Sequence, residues 1–560
     1  MIRLPAWLHG AFAAVRALGP LGLVERQRRR RRDRRDYARW LEARASQAGA
    51  EVVGAAGTIE GPLLSVLMPT YETDPRWLAC AVASVLAQRY THWELCIADD
   101  ASRAPHVRQS LETLARSDPR VRVAFRSARG HISAASNTAL SMARGEFVAL
   151  LDHDDELAPD ALLEVAGALS RDPATDVLYT DEDKIDPRGR RVDAYLKPDW
   201  SPDLLLSQNF LSHLGVYRTD LVRLVGGFRE GFEGSQDHDL ALRVIEKTSP
   251  ERIRHIPHVL YHWRTTPQST SGGLWRKGYA ADAGCRAIAD HLARSGRRAS
   301  VERTSYAFYR VRQAMPDPAP TVTVLALEPA VIGGSTRTLA DAWGLDVELR
   351  QVDVGGGTPR AAALDAAVGE SHGEIVVVLG GGCRPRPGWL EELVSQAARP
   401  EVGVVGGKVV SRWGRVLHAG YLLALDRDPP VLDAHAGIPE KARGHFGRAA
   451  LVQNLLAVGP DCLAFRRGTF EALGGLDAAA FPGALYEVDL CLRARARGLR
   501  VVFTPCATVV QARSSLARRQ GTPEERDRLR ARWAAGLPRD PYWHPDLDRA
   551  SPDFRIRARG

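Results

Sequence analysis

From about residue 58 onward the chain alternates short apolar runs with stretches whose apolar residues recur every three or four positions. The runs read as strands and the periodic stretches as amphipathic helices, an alternation that predicts an α/β domain. It gives strands over 64–68, 94–98, 121–125 and 147–151, and helices over 77–87 and 133–143. The fourth run, Phe147-Val-Ala-Leu-Leu151, has no polar position, as expected of a strand covered on both faces of a parallel sheet. Met315-Pro-Asp-Pro-Ala-Pro320 breaks the pattern, and the alternation resumes at Val322. With 560 residues the chain exceeds what one core accommodates. The expected divisions are a leader over 1–57, a first α/β domain over 58–315, a proline-rich linker over 316–320, a second domain over 321–512, and a C-terminal helix and tail over 513–560.

The second half repeats the first. Arg144-Gly-Glu-Phe-Val-Ala-Leu-Leu151 returns as His372-Gly-Glu-Ile-Val-Val-Val-Leu379, Val225-Gly-Gly-Phe228 as Leu473-Gly-Gly-Leu476, and Asp239-Leu-Ala-Leu-Arg243 as Asp489-Leu-Cys-Leu-Arg493. Strand, Gly-Gly turn and amphipathic helix recur in one order, which predicts two copies of one domain. The copies part after the fourth strand. Asp152, Asp154 and Asp155 stand where the second copy has Gly380, Gly382 and Cys383, so the second copy is expected to be degenerate and to form no metal cluster there.

Open parallel sheets carry ligands at the carboxyl ends of their strands. Three carboxylates within four residues at such an end repel one another, and a hard divalent cation relieves the repulsion. The bland alternative is a solvated acidic turn that caps the next helix. The first strand ends in Pro69-Thr-Tyr-Glu72 and the second in Asp99-Asp100, acids suited to hydroxyls or a base edge, or to capping a helix. No glycine-rich dinucleotide fingerprint or phosphate-loop lysine follows the first strand, which argues against a Rossmann cofactor and a P-loop NTPase. Asp237 and Asp239, two apart at a helix start, cannot share a face, so one should enter the site while the other caps or pairs. His262 and Arg264 follow a late strand. They would complete a metal shell or neutralise a leaving diphosphate, or His262 is a hydrogen-bonded core histidine.

Charge alters the picture only at the start of the chain. The net charge is +9, and residues 1–50 hold twelve arginines against four acids. The rest is nearly neutral, which turns the reading away from nucleic acid. The leader places an apolar segment, too interrupted to span a bilayer, before the cluster from Arg26 to Arg35. That order does not suit a signal peptide and suits an interfacial anchor on anionic lipid; a disordered tail or a helix packed on the body are the alternatives. Seven scattered cysteines without a C-x-x-C pair point to a reduced, cytoplasmic setting, peripheral at the inner face of the cell membrane if the leader binds lipid.

Taken together, Ser65-Val-Leu-Met-Pro-Thr-Tyr71, Asp99-Asp100, Asn137-Thr-Ala-Leu140, Leu151-Asp-His-Asp-Asp155 and Ser235-Gln-Asp-His-Asp-Leu240 resemble the family 2 glycosyltransferases of GT-A fold. The tandem arrangement and the ending Asp540-Pro-Tyr-Trp-His-Pro-Asp-Leu547 resemble bacterial enzymes of O-antigen and surface-polysaccharide assembly. The resemblance implies two tandem GT-A domains, Rossmann-like with a mostly parallel sheet, the second degenerate. It implies that Thr70, Tyr71, Glu72, Asp99, Asp100, Asn137 and Asp152 contact a UDP- or dTDP-sugar. It further implies that Asp152 and Asp154, with His262, hold Mg²⁺ or Mn²⁺, and that Asp237 is the catalytic base. Gln236 departs from the family pattern, in which a Glu precedes that Asp. The implied reaction is inverting, metal-dependent transfer to a glycan or lipid-linked oligosaccharide. The alternatives are an inactive glycan-binding scaffold and a nucleotidyltransferase, the latter disfavoured by the missing glycine- and lysine-rich loop.

Overall fold

The structure is a computed structural model, and it describes residues 24–25, 27–44, 60–265, 278–304, 308–327, 345–354, 357–512 and 520–557. The chain divides into two compact units. One comprises 33–200 and 208–311, the other 312–557 with 201–207 and the N-terminal residues through 32.

In the first unit, β1 (Leu64–Thr70), β2 (Trp93–Asp99), β3 (Val121–Phe125) and β4 (Phe147–Leu150) form the parallel part of a nine-stranded sheet. The remainder is β5 (Glu156–Leu157), β6 (Val177–Ile185), β7 (Arg191–Tyr195), β8 (Gly215–Arg218) and β9 (Ile253–Arg264). The order is β3-β2-β1-β4-β8-β6-β9-β5, with β7 on β6. β8 runs antiparallel to β4 and β6, whereas β9 is parallel to β6. The apolar runs are strands because they can be buried: every residue of β1 and β2 is. Leu78 and Val85 of the helix Pro75–Leu86, and Leu162 and Val165 of the helix Ala161–Arg171, pack in the same core as Val66, Ile97 and Phe147.

After a two-stranded sheet of β10 (Ala299–Arg303) and β11 (Tyr309–Gln313), the second unit repeats this design. Its strands are β12 (Val322–Leu327), β13 (Val347–Val352), β14 (Ile375–Leu379), β15 (Cys383–Pro385), β16 (Val402–Ser411) and β17 (Val416–His418). They continue with β18 (Tyr421–Leu423), β19 (Val431–Asp433), β20 (Gln453–Asn454), β21 (Cys462–Arg466) and β22 (Arg500–Gln511). The order β13-β12-β14-β21-β16-β22-β15, with β17 on β16, matches β2-β1-β4-β8-β6-β9-β5, with β7 on β6, strand for strand. The repeat read from sequence is therefore a repeat of topology.

Buried polar groups repeat as well. Ser65 Oγ donates to Glu94 at 2.7 Å and accepts from the Gly145 N–H at 2.9 Å. Thr323 Oγ1 donates to Glu348 and accepts from the Gly373 N–H, both at 2.9 Å. A Cβ on Gly145 would lie 2.6 Å from the Leu63 carbonyl oxygen, and one on Gly373 2.3 Å from the Thr323 nitrogen. The Arg-Gly-Glu and His-Gly-Glu steps thus need glycine because a neighbouring backbone crosses there.

The C-terminal tail is part of the second unit. The helix Pro523–Trp533 starts with a capping box between Thr522 and Glu525. Asp540 is buried and accepts the N–H groups of Leu423 at 3.0 Å and Tyr542 at 2.9 Å. Near the other end of the chain, the helix described at 24–25 and 27–44 carries Tyr37 and Trp40, each 2% exposed. Tyr37 Oη donates to Asp183 at 2.5 Å, so this part of the leader is a helix packed on the body. The apolar residues 1–23 lie outside the described residues, and no described helix is long and apolar enough to cross a membrane.

Candidate active site

The carboxyl ends of β1, β2 and β4 supply three adjacent loops. Asp99 accepts from the Ser102 N–H at 3.0 Å and the Ser102 hydroxyl at 2.5 Å. Asp100 accepts from Arg126 Nε at 3.0 Å and the Gly130 N–H at 2.8 Å. Both carboxylates are buried and each keeps acceptor capacity beyond these bonds. Thr70 is buried and within 2.9 Å of the Thr73 hydroxyl, Tyr71 lies under the Arg129 guanidinium at 4.2 Å, and Glu72 accepts the Arg103 N–H at 2.6 Å. The residues assigned to the nucleotide loop and the paired acids therefore lie at neighbouring strand ends.

The acid cluster after β4 divides in two. Asp155 turns inward, accepting the Tyr261 hydroxyl at 2.6 Å and the Arg264 N–H at 2.7 Å. Burial raises its pKa well above the usual carboxylate range, and the charges of Asp154 and Asp152 add to the rise. Arg264 also bonds the Asp154 carbonyl at 2.9 Å, pairs with Glu156 and stacks on Trp77 at 4.1 Å, so it braces the acidic loop. Asp152 remains in the site. Burial raises its pKa; Asp154 and Asp237 push the same way while His213 opposes them. Asp237 therefore lies within electrostatic reach of the acid cluster although more than 80 residues separate them in sequence.

Asp237 and Asp239 have different surroundings. Asp239 is fully buried, gripped by Arg243 at 2.7 Å and by Arg229. Asp237, partly exposed at the start of the helix Gln236–Ile245, accepts Asn209 Nδ2 at 2.7 Å. Asn209 also accepts the Ser212 N–H at 3.2 Å and so ties Asp237 to the loop that carries His213.

Two assigned residues have other partners. His262 Nδ1 is 2.7 Å from Asp183, a carboxylate that also holds Tyr37 and Arg191, and His262 is not in the cluster of ligand atoms that contains Asp152. The histidine beside the acids is His213: one ligand atom each from Asp152, Asp155 and His213 lie within 4.8 Å of one another. Asn137 donates to the Phe228 carbonyl and accepts its N–H, both at 2.8 Å, which locks the Gly226-Gly227 turn. His213, Asn209 and Tyr261 carry no spacing signal in the sequence, because the loop before β8 brings the first two to the site and β9 brings the third. His213 stacks on Tyr261 at 4.5 Å and faces Glu182 at 3.3 Å. Burial pushes its pKa down, but Glu182, Asp152 and Asp155 lift it to about 9. The fully buried Lys197 completes this network, 3.1 Å from Glu182. The clustered ligand atoms belong to Asp152, Asp155 and His213, with Asp154 next to them in sequence but outside the cluster; carboxylate oxygens beside an imidazole are donors that fit a divalent cation.

The corresponding corner of the second unit is built differently. A Cβ on Gly380 would sit 2.3 Å from Asp461 Oδ1, so the space of the Asp152 side chain is taken by Asp461. Asp461 and His213 each lie five residues before the arginine, Arg466 or Arg218, that pairs with the first residue of β14 or β4. Glu487, at the register of Asp237, is buried.

Mixed α/β sheets with this strand order, and with acids collected at the ends of the parallel strands of one copy, define a tandem GT-A architecture. The chain belongs to glycosyltransferase family 2: the profile Glycosyl transferase family 2 matches residues 65–217, and Glycosyltransferase like family 2 matches residues 313–536. It is 39% identical over 559 residues to the uncharacterized protein y4gI of Sinorhizobium fredii, covering 93% of this chain and 61% of that protein. It is 35% identical over 565 residues to the O-antigen biosynthesis protein RfbC of Myxococcus xanthus, covering 93% and 43%. The chain thus spans about half the length of these curated relatives. Among solved structures it is similar to Staphylococcus aureus TarS 1-349 in complex with UDP-GlcNAc, with 22% identity, 41% and 66% coverage and a TM-score of 0.35.

Proposed function

We propose that the first unit transfers a sugar from a UDP- or dTDP-sugar, with inversion, to a glycan or lipid-linked oligosaccharide of a cell-surface polysaccharide. The observation that carries this reading is that Asp237, at a helix start, lies within electrostatic reach of Asp152 after β4 of a family 2 domain. Relatives support the substrate class: RfbC is an O-antigen biosynthesis protein, and an Escherichia coli chondroitin synthase is 32% identical over 211 residues, covering 38% of this chain and 30% of that enzyme.

In this mechanism Thr70, Tyr71, Glu72, Asp99 and Asp100 seat the nucleoside. Asp152 and Asp154 would hold Mg²⁺ or Mn²⁺, which supplies charge neutralisation for a departing diphosphate. The Asp237 carboxylate takes the proton of an acceptor hydroxyl as that oxygen forms its bond to the anomeric carbon, and the bond to the diphosphate breaks on the opposite face. One displacement inverts configuration. Asn209 fixes the orientation of Asp237. The second unit, with Gly380 and Asp461 in place of the acid cluster, binds acceptor or braces the first unit and transfers nothing. The Arg-rich leader brings the protein to an anionic membrane surface at the inner face of the cell membrane.

The test is a donor screen by mass shift, with purified protein, Mn²⁺ and a lipid-linked oligosaccharide. Transfer that is abolished in Asp154→Ala supports the reading. Equal transfer by Asp154→Ala and wild type overturns the assignment of the metal-holding acids, and no transfer from any UDP- or dTDP-sugar favours a glycan-binding scaffold.

A further inference from the structure

Among the described residues of the second unit, Trp413 is the one strongly exposed large aromatic side chain. Trp413, 77% exposed, sits at the tip of the turn between β16 and β17. Arg412 lies against its ring at 4.6 Å, and both Arg412 and Arg415 are exposed. Arg415 pairs with Glu25 in a two-point ion pair at 2.8 and 2.9 Å, which ties the turn to the start of the N-terminal helix. On that helix Glu25, Arg29 and Arg32 follow one another at helical spacing on the side that faces the body, where Arg29 and Arg32 reach Asp553. Val24, Arg28 and Arg31 recur at the same spacing on another side, and all three are exposed. The acids next to the turn are already paired: Glu25 with Arg415, and Glu440 with Arg386 at 2.8 Å.

We propose that the Arg412-Trp413 turn and the Val24/Arg28/Arg31 stripe form one contact surface for an anionic phospholipid bilayer. The proposal rests on the reading of the leader as surface-binding and adds a contact contributed by the second glycosyltransferase-like unit. The physical match is twofold. An indole exposed beside arginines is the side-chain pair that favours the headgroup region, with an apolar ring at the boundary and cations at the phosphates. The exposed arginines Arg28, Arg31 and Arg412 supply charge complementary to acidic lipid, each about fivefold in affinity near such a surface. This gives the second unit a function that needs no sugar chemistry: it sets the height and orientation of the protein over the bilayer.

The test uses the full chain, co-sedimented with phosphatidylcholine vesicles with and without phosphatidylglycerol, at low and moderate salt. Wild type should bind only the acidic vesicles, and less as salt rises. Trp413→Ala should weaken binding roughly three- to tenfold, since it removes a large interfacial ring, while thermal unfolding stays unchanged because the side chain packs on little. Arg28→Glu with Arg31→Glu should weaken it more than about tenfold. If Trp413→Ala binds like wild type while the double arginine variant is released, the turn is no part of the surface and only the leader reading survives. If neither substitution changes binding, both ideas fail. Loss of affinity for a lipid-free surface polysaccharide in Trp413→Ala, with vesicle binding intact, would make the turn a glycan platform and overturn the membrane assignment.

Discussion

Asp239 and Asp489 occupy one position in two copies of one fold, and their surroundings have stayed nearly the same. Each is fully buried and pairs at 2.7 Å with the arginine four residues on. That arginine continues to the carbonyls of a Gly-Gly turn, Arg243 to Val225 and Gly227 and Arg493 to Leu473 and Gly475. Across the fold, at the ends of β4 and β14, the copies share almost nothing: three acids in one, glycines and a buried cysteine in the other. The contrast has a physical cause. Breaking a buried ion pair from one side strands a charge in the interior and costs about 3–5 kcal/mol, so either partner holds the other in place. A cluster of like charges has the opposite character, because each carboxylate destabilises the ionised form of its neighbour. Such a cluster persists where chemistry requires it, and under the proposed function a second copy without that chemistry gains by losing it.

The largest effect should therefore be the most one-sided. Asp237→Asn keeps the shape and the contact with Asn209 but cannot accept a proton at neutral pH. We expect kcat to fall by about 10²–10⁴ with little change in donor affinity. Glu487→Gln, at the equivalent position, should leave kcat within about twofold. Comparable losses in both variants would show that the second unit is also a transferase and that the two units do not differ in chemistry.

The scaffold should respond symmetrically. Asp239→Ala strands the buried Arg243 and should cost about 3–5 kcal/mol, while Asp489→Ala strands the partly exposed Arg493 and should cost about 2–4 kcal/mol, both read by denaturant unfolding. Asp489 also accepts Arg532 and Trp533 Nε1, both at 3.0 Å, from the C-terminal helix. Its loss should therefore expose that helix to proteolysis as well. A cost under about 1 kcal/mol in either variant would show that the clamp is not structural there.

A third contrast lies on the strand that β6 and β16 have in common. β6 carries Asp181, Glu182 and Asp183, each with basic partners, whereas β16 carries Lys408 followed by valines. Burial drops Lys408 to about 8, against the pull of Glu440. The unfolded lysine titrates near 10.5, so between those values the unfolded chain binds more protons and stability rises with pH. Lys408→Met should flatten that rise and stabilise the protein at pH 7 by roughly 1–3 kcal/mol. A stability curve for the variant that still climbs from pH 8 to 10 would assign the rise to another group.

Much of this was legible in the chain because strands and turns leave local marks. The predicted strand over 121–125 is β3, and those over 64–68, 94–98 and 147–151 fall on β1, β2 and β4 within two residues at either end. The Gly-Gly turns and the Asp-x-x-x-Arg helices announced the repeat, and the requirement that Asp237 and Asp239 take different roles followed from helical geometry alone. What escaped was contributed by loops. His213 stands next to Asp152 because β8 lies against β4, and no periodicity registers that pairing. His262 was the histidine the sequence offered, and its Nδ1 lies 2.7 Å from Asp183, while the histidine grouped with Asp152 is His213. Asp461, one residue before β21, gives no sign in the sequence that it fills the space left by an absent aspartate.

The smallest expected effect tests whether the two Gly-Gly turns are equally dependent on their clasps. In the first unit, Asn137 makes both a donor and an acceptor bond to the backbone of Phe228. In the second, Asp365 only accepts, from the Leu476 N–H at 2.7 Å. A Cβ on Gly227 would lie 2.4 Å from Asn137 Oδ1, and one on Gly475 2.4 Å from Asp365 Oδ1, so both clasps sit hard against a glycine with positive φ. Alanine at either clasp leaves a backbone N–H without its acceptor, at about 1–3 kcal/mol. Asn137→Ala also strands the Phe228 carbonyl and should therefore cost more than Asp365→Ala, by roughly 1 kcal/mol. Asn137→Asp separates the two roles of the asparagine: it keeps the acceptor, removes the donor and should fall between the wild type and Asn137→Ala in chemical denaturation. If Asn137→Asp instead retains full stability but loses donor affinity, the amide contacts the nucleotide-sugar after all, and the likeness between the two turns is confined to their backbones.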